Sequence, residues 1–225
     1  ATVAPHRQYL SVLLLAAECT TSSPSDNVRL LLLLVAMNTH PLFDLSGKRA
    51  LITGSSQGIG LALAEALASA GAHVILNGRD RAKCERVAAA FVARGEQVSV
   101  QAFDVTDTAN AVQHIDAIER DIGAIDILIN NAGMQRRGPL EDFTVEHWHE
   151  LMRTNLDSVF IVGQAVARHM IPRGRGKIIN VASLQSEAAR YGIAPYTAAK
   201  GAVKMIPADE AGKLIELLHT EAKVI

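Results

Sequence analysis

The stretch KRALITGSSQGIGLALAEALASAGAHVILNGRD, residues 48–80, decides the fold of this chain. It opens with a short β-rich run, residues 49–53, which predicts a β-strand. After a loop with three glycines, apolar residues follow the spacing of an amphipathic helix: Ile59, Leu63, Ala66, Leu67 and Ala70. Gly71 is placed to end that helix, and residues 73–77 predict a second strand. A strand, a helix and a strand in this order predict two parallel strands joined by a crossover helix.

The same alternation continues along the chain. Further helices are predicted over residues 81–94, 108–122 and 145–170, and further strands over residues 98–103, 125–130 and 177–182. Asp80 is placed to cap the first of these helices, Gly95 and Gly123 to end the first two, and Pro172 to end the third. Four of the five strands are almost entirely apolar, which is typical of strands covered on both faces. The sequence therefore predicts an α/β fold, a doubly wound, Rossmann-like parallel sheet with helices on both sides.

The composition is that of an ordinary globular protein and argues against several function classes. The 225 residues are 49% hydrophobic and 20% charged. Lysine plus arginine number 22 against 23 acidic residues, a balance that argues against binding nucleic acid through its phosphates. Two cysteines, Cys19 and Cys84, are too few for a disulfide scaffold and suit a reducing, cytoplasmic location. We expect a small-molecule substrate, with neither nucleic acid nor a membrane as partner.

The first 42 residues do not share the alternation of strands and helices. They contain two apolar runs, residues 12–17 and 30–37. The longer run has eight residues, whereas a membrane span needs about 20. Arg7 and the first run faintly resemble a signal peptide. We favour a poorly ordered N-terminal extension over residues 1–42 and a dinucleotide-binding domain over residues 43–225.

The residues that follow each strand are the candidates for a site, because ligands bind at the carboxyl ends of parallel strands. The loop after the first strand could hold a pyrophosphate at the start of a helix: Gly54, Ser55, Ser56, Gln57, Gly58, Ile59 and Gly60. A plain glycine turn is the alternative. After the second strand comes Arg79, 19 residues past Gly60, where an arginine accommodates the 2′-phosphate of NADP. A solvated arginine is the alternative there.

The third and fourth strand ends add weaker signals. Asp104 and Val105 follow the third strand, where a carboxylate could accept a hydrogen bond from an adenine amino group. An acid at the start of a helix explains Asp104 equally well. After the fourth strand, Asn131, Ala132 and Gly133 form a small polar segment that a ribose could pass. An ordinary loop is the competing interpretation.

The fifth strand leads to the sharpest constellation, Ser183, Tyr196 and Lys200. Tyr196 and Lys200 are four residues apart, so they share one face of a helix. A lysine cation one helical turn away favours a phenolate, and a serine hydroxyl nearby can hold a substrate oxygen. Together these groups could transfer a proton while a nicotinamide transfers a hydride.

All five strand ends thus carry a residue suited to one dinucleotide and one alcohol or ketone. From about residue 43 to residue 204, the sequence is similar to the short-chain dehydrogenase/reductase family. The matching motifs are TGSSQGIG, NNAG, TNLDSVF, Ser183 and YTAAK. The resemblance implies an NADP-dependent enzyme, with NAD as a possible cofactor, that interconverts a secondary alcohol and a ketone, and no metal.

The resemblance also implies roles for individual residues. Tyr196 would donate or accept the proton, and Ser183 would orient the substrate. Lys200 would bind the ribose and tune Tyr196, and Asn155 would hold a water in the proton relay.

Within the family, the chain resembles the gluconate 5-dehydrogenases in HPLFDLSGKRALITGSSQGIG, NGRD and NNAGMQRRGPLEDF. This narrower resemblance implies interconversion of gluconate and 5-ketogluconate. Arg136 and Arg137 could meet a sugar-acid carboxylate at the rim of the pocket, although solvated arginines are an equal alternative. His147, Trp148 and His149 are interpreted as ordinary helix residues rather than metal ligands.

The sequence leaves the family pattern after Lys204. Pro207 interrupts the helix through which family members usually form oligomers, and residues 209–220 predict a short amphipathic helix. We therefore expect a C-terminally truncated fold, with the fifth strand as an exposed apolar edge. A homo-oligomer is possible. Two alternatives stay open: a 3-oxoacyl thioester reductase of the same family, and a dinucleotide-binding fragment without turnover.

Overall fold

The centre of the fold is a five-stranded sheet, seen in a computed structural model that describes residues 43–206. Its strands are β1 (Arg49–Ile52), β2 (His73–Gly78), β3 (Val98–Ala102), β4 (Ile127–Asn130) and β5 (Lys177–Asn180). They lie in the order β3-β2-β1-β4-β5, and all four pairings are parallel. The predicted doubly wound α/β fold is confirmed. Because the strand order changes direction at β1, a crevice is expected between the carboxyl ends of β1 and β4.

Six α-helices are described in residues 43–206. They are α1 (Gly58–Ser69), α2 (Arg81–Ala93), α3 (Thr108–Ala117), α4 (Val145–Met152), α5 (Ser158–Arg173) and α6 (Ala194–Met205). The Asp80 carboxylate accepts a hydrogen bond from the Lys83 amide at 2.9 Å, so it caps α2 as predicted. Gly71, Gly95 and Gly123, the predicted helix ends, all have positive φ angles.

Alternate residues of the strands enter two apolar cores, one on each face of the sheet. Leu51 points to the core formed with α3 and α5, where it meets Ile115 and Val166. Its neighbours Ala50 and Ile52 point to the opposite core, formed with α1 and α2. β1, at the middle of the sheet, is therefore covered on both sides, as its continuous apolar sequence predicted.

One predicted helix, residues 145–170, is interrupted. A π-helical turn, Arg153–Asp157, separates α4 from α5. Within it, the Asn155 side chain donates a hydrogen bond to the Leu151 carbonyl at 3.0 Å. A side-chain amide that competes for the carbonyl four residues earlier favours such local widening.

The predicted helix end before Pro172 is also wrong. α5 includes Pro172 and runs to Arg173, where Gly174 closes it in a left-handed conformation. Arg173 holds this last turn in place, since its guanidinium pairs with Glu119 at 2.5 Å and donates to the Ile125 carbonyl at 2.9 Å. These contacts stabilise a final turn that lacks one backbone donor.

The two outer strands are less covered than the three inner ones. β5 alternates exposed and half-buried residues, and Ile179 is 48% exposed. This agrees with the expected exposure of the fifth strand. Pro207, the helix predicted over residues 209–220 and the extension predicted over residues 1–42 lie outside the described residues. From residue 43 to residue 206, no helix is long and apolar enough to cross a membrane.

Candidate active site

A cavity of about 910 Å³ opens at the carboxyl ends of the strands. Its walls bring together most of the residues predicted to bind a cofactor: Gly54, Ser56, Gln57, Gly58, Ile59, Gly60, Arg79, Asp104, Val105, Asn131, Ala132, Gly133, Tyr196 and Lys200. Asn155 also lines it. Segments far apart in sequence meet here because parallel strands deliver their carboxyl ends to one side of the sheet.

The glycine loop is held by close packing against the segment after β4. A Cβ at Gly60 would lie 2.4 Å from Asn131 Nδ2 and 2.5 Å from the Gly54 carbonyl oxygen, closer than real atoms approach. Gly54 has a φ of +64°, which favours glycine. Gly58 has a φ of +59°, so all three loop glycines are favoured where they stand, which supports a built cradle over a plain turn.

Buried polar side chains fix this cradle from below. The Thr53 hydroxyl accepts hydrogen bonds from the backbone amides of Asn131 and Ala132, at 2.9 and 3.0 Å. Asn131 Nδ2 returns a bond of 2.9 Å to the Thr53 carbonyl. Asn77, which is 1% exposed, accepts from the Gly54 amide at 3.2 Å and donates to the Phe103 carbonyl at 3.2 Å. The ends of β1, β2, β3 and β4 are thereby joined in one network.

The geometry of this cradle fits a dinucleotide. α1 begins at Gly58, and the side chain of its N-cap residue, Gln57, makes no capping bond to the helix. First-turn amides without a side-chain cap, at the positive end of a helix dipole, suit a pyrophosphate. Arg79 is exposed at the cavity wall, where its cation suits a 2′-phosphate. Asp104 Oδ1 accepts from the backbone amide and hydroxyl of Thr106 at 2.9 and 2.8 Å, which fixes the orientation of its carboxylate at the cavity wall.

Tyr196 and Lys200 lie on α6 and both face the cavity. Lys200 is 4% exposed, and its ammonium donates a hydrogen bond of 2.6 Å to the Val181 carbonyl beyond β5. Burial lowers the pKa of Lys200 from its ordinary value, because a charge loses solvation inside a protein. α6 thus carries a phenol and a buried cation on one face, as the spacing predicted.

Ser55 is not among the residues of the cavity wall, and its role in binding the cofactor stays a prediction. It is fully buried, and its hydroxyl donates to the Ile52 carbonyl at 2.8 Å and accepts from the Asn77 amide at 2.9 Å. The side chain fastens β1 to β2 instead of facing a ligand.

Ser183 lies beside the cavity rather than in its wall. Its neighbours Val181 and Ala182 line the cavity, but Ser183 is not among the lining residues. It caps a short 3₁₀ turn, Leu184–Ser186, and its hydroxyl oxygen accepts from the Gln185 amide at 3.2 Å. Because the oxygen accepts this bond, the hydroxyl hydrogen is left to point elsewhere.

Arg136 is engaged by protein groups, not by the cavity. Its guanidinium lies 2.6 Å from the Glu150 carboxylate and 3.1 Å from His147 Nε2, and Arg136 is not a lining residue. Glu150 provides the anion that pairs with Arg136 in this structure, and contact between Arg136 and a substrate carboxylate stays a prediction.

Asn155 has a structural task that the sequence did not reveal. Its side chain is fully buried, accepts from the Met134 amide at 3.0 Å and donates to the Met134 carbonyl at 3.0 Å. With the bond to Leu151, both amide hydrogens are used by backbone carbonyls. The side chain thus holds the segment after β4 against the π turn, and the water-binding role stays a prediction.

Other lining residues were missed from the sequence. They lie in the loop after β3 and along α4 and its π turn: Thr106, Glu146, His149, Glu150, Arg153 and Thr154. Glu146, His149, Glu150 and Arg153 have the spacing of one helical face, a signal that was present in the sequence. Solvated helix faces give the same pattern, so the spacing alone could not place them. Among residues 43–206, no cluster of ligands suited to a metal ion is found.

Comparison with known proteins decides the family. The short chain dehydrogenase family matches residues 48–214. The chain belongs to that family. A gluconate 5-dehydrogenase from Gluconobacter oxydans (strain 621H) is 61% identical over 167 residues, which cover 74% of this chain and 65% of the relative. A 5-keto-D-gluconate 5-reductase from Escherichia coli (strain K12) is 43% identical over 185 residues, covering 82% and 72%.

The chain is also similar to a solved structure. A gluconate 5-dehydrogenase from Burkholderia cenocepacia J2315, in complex with NADP and tartrate, superposes with a TM-score of 0.72 at 52% identity. The match covers 80% of this chain and 68% of that one. The chain spans about 65% of the length of the Gluconobacter relative, so whatever the rest of that protein contributes lies outside this comparison.

Proposed function

We propose that this chain is an NADP-dependent oxidoreductase that interconverts D-gluconate and 5-keto-D-gluconate. The observation that carries the proposal is one cavity whose walls hold the glycine loop, Arg79 and the Tyr196–Lys200 pair. The first two suit a phosphorylated dinucleotide and the third suits proton transfer to a carbonyl oxygen.

The cofactor would lie across the carboxyl ends of the strands. The first-turn amides of α1 would bind its pyrophosphate, and Arg79 would bind its 2′-phosphate. NADP fits this site better than NAD, because the β2–α2 turn presents a cation at the wall where a 2′-hydroxyl would call for an acid. When bound, the reduced cofactor supplies a hydride to the substrate carbon and its oxidised form takes one back.

Tyr196 would supply the proton. Its hydroxyl would donate the proton to the carbonyl oxygen at C5 of 5-ketogluconate, as that carbon would accept the hydride supplied by the reduced cofactor. The resulting phenolate is stabilised by the Lys200 cation one helical turn away and regains a proton from solvent. In the oxidation direction, the phenolate removes the alcohol proton as the hydride leaves.

Ser183 would hold the substrate oxygen. Its own oxygen is occupied by the Gln185 amide, so the hydroxyl hydrogen can be donated to the carbonyl oxygen. The hydroxyl has to turn towards the cavity from its present place beside the wall, and we expect substrate to favour that orientation.

The substrate is proposed from the relatives named as gluconate 5-dehydrogenase and 5-keto-D-gluconate 5-reductase. The test is the rate of cofactor oxidation by the 225-residue chain. Two substrates, 5-ketogluconate and an acetoacetyl thioester, are each measured with NADPH and with NADH. We expect 5-ketogluconate with NADPH to give the highest kcat/KM of the four combinations.

Two results would overturn parts of the proposal separately. A higher kcat/KM for the thioester would favour the 3-oxoacyl reductase alternative. NADPH binding with no reduction of either substrate, at enzyme concentrations near those of the substrate, would favour a dinucleotide-binding fragment.

A further inference from the structure

The short 3₁₀ turn after β5 contains a second serine that the proposed reaction does not use. The Ser186 hydroxyl accepts a hydrogen bond from the Ser183 amide at 3.2 Å. The same hydroxyl donates to the Lys200 carbonyl at 2.9 Å. One side chain therefore bonds the backbone of two residues proposed to act on the substrate and cofactor.

We propose that Ser186 is a positioning residue, which sets the distance between the Ser183 turn and helix α6. This inference rests on the proposed function, because its kinetic test requires a chain that reduces a substrate.

The geometry gives Ser186 a link between segments in addition to ordinary capping. Its bond from the Ser183 amide completes the capping box of the 3₁₀ turn, and its second bond, to the carbonyl of Lys200 14 residues further along the chain, joins that turn to α6. Lys200 is fixed a second time through its ammonium, which bonds the Val181 carbonyl just before the same turn. The turn and the helix are thus joined at two places, one at a backbone carbonyl and one at a side chain.

This region needs such a link because its sheet support is thin. β5 has four residues and pairs only with β4 among the described strands. Leu184 and Tyr191, in the connection between β5 and α6, are 79% and 83% exposed. Few buried contacts hold this segment, so a bond between its turn and α6 carries more of the local order than it would in the core.

The first test is the kinetics of Ser186→Ala, with Ser69→Ala as the matched control. The Ser69 hydroxyl also bonds a backbone carbonyl, that of Ala66 at 3.0 Å, but it lies on the exposed end of α1. We expect Ser186→Ala to lower kcat about tenfold, since small misplacement of reacting groups is costly. The dissociation constant for NADPH should change less than kcat does, because the glycine loop is untouched and Lys200 keeps the bond from its ammonium to the Val181 carbonyl. Ser186→Thr, which keeps the hydroxyl, should recover most of the rate.

The second test needs no turnover. The backbone amides of α6 around Lys200 should exchange their hydrogens about tenfold faster in Ser186→Ala than in the wild-type chain, with no change in Ser69→Ala, because loss of the bond to the Lys200 carbonyl lets the helix open apart from the turn. If the wild-type chain reduces no substrate, the proposed function fails, and this exchange measurement still decides the link. The inference is overturned by unchanged exchange of the α6 amides around Lys200, or by a wild-type kcat in Ser186→Ala.

Discussion

The two ends of the cavity are built differently. At the nucleotide end, the loop over residues 54–60 sits on Thr53, Asn77 and Asn131, which are buried or half-buried and bonded to several backbone groups. At the catalytic end, Tyr196 and Ser183 are half-buried, beside a four-residue edge strand. The nucleotide end is a packed network, and the catalytic end is a set of groups joined by a few individual bonds.

This difference has a physical consequence. Removing one member of a buried network leaves other polar groups without partners, so substitutions at the nucleotide end should cost stability and cofactor affinity together. Substitutions at the catalytic end should change the rate with little effect on folding. Four substitutions should separate the two ends, and their expected effects decrease from Tyr196→Phe to Lys200→Met.

Tyr196→Phe should produce the largest effect, and at the catalytic end only. Loss of the proton donor should lower kcat about 1,000-fold, the usual size of a general acid–base contribution. Affinity for NADPH should stay within twofold of wild type in a fluorescence titration. Tyr191→Phe is the matched control, since Tyr191 is 83% exposed, and it should keep full activity. Full turnover by Tyr196→Phe would contradict the proposed mechanism.

Arg79→Gln should produce the next largest effect, at the nucleotide end. Losing the cation that faces the 2′-phosphate should raise KM for NADP about 10- to 100-fold, since bonds to charged groups contribute about 1.5–3 kcal/mol. KM for NAD should change little. The preference for NADP over NAD should therefore become smaller or turn into a preference for NAD.

Arg81→Gln controls for the general loss of positive charge, because Arg81 is exposed and pairs with Glu85 on α2. It should leave both KM values within twofold. An equal rise in KM for NADP and NAD in Arg79→Gln would show that Arg79 does not recognise the 2′-phosphate.

Gly60→Ala should weaken folding and cofactor binding together. The added methyl group would overlap Asn131 Nδ2 and the Gly54 carbonyl, so the cradle has to open. We expect the free energy of unfolding to fall by about 2 kcal/mol, a usual cost of overpacking, in urea titrations.

Gly163→Ala is the matched helical substitution, because the nearest atom to its new methyl group would be Asn130 Nδ2 at 3.6 Å, an ordinary contact. It should stabilise the chain by up to about 1 kcal/mol, the gain of alanine over glycine in a helix. Equal stability changes in the two variants would contradict the tight packing at Gly60.

Lys200→Met should produce the smallest change in stability, and one that depends on pH. Burial lowers the pKa of Lys200, so the unfolded chain binds this proton more tightly than the folded chain does. The wild-type free energy of unfolding should therefore rise as pH approaches the ordinary value of 10.5, while Lys200→Met lacks this rise. The free energy of unfolding of Lys200→Met, relative to that of wild type, should be highest near neutral pH. This difference should shrink in urea titrations at alkaline pH.

Lys204→Met, on the same helix, is the control, because Lys204 is exposed and pairs with Glu187. It should show no such pH dependence relative to wild type. A Lys200→Met advantage that grows with pH would contradict the burial of a cation at this place.

The sequence predicted the nucleotide end more completely than the catalytic end, and the reason is physical. Strand ends meet at one side of a parallel sheet whatever the side chains do, so Gly54, Arg79, Asp104 and Asn131 could be placed together from topology alone. What topology does not fix is which way a side chain turns. The Ser55 side chain turns inward and bonds the Ile52 carbonyl, and the sequence alone could not predict this orientation.

Two further features of the fold, the π turn and the end of α5, were not predicted because they depend on bonds between side chains and distant or competing groups. The π turn depends on Asn155 bonding the Leu151 carbonyl, and the persistence of α5 past Pro172 depends on the distant Glu119 pairing with Arg173. Helical periodicity carries no information on either contact. The pairing of Arg136 with Glu150, 14 residues away, could likewise not be predicted from the sequence.

The most direct test of the central claim, that the described strand ends form an NADP site, is thermal unfolding of the 225-residue chain alone, with NADP and with NAD. A ligand at 100 times its dissociation constant stabilises a folded protein by about 2.7 kcal/mol. We predict one cooperative transition that NADP raises by several degrees and NAD raises less. A transition that responds to neither nucleotide, or equally to both at matched concentrations, would contradict the site or its recognition of the 2′-phosphate by Arg79.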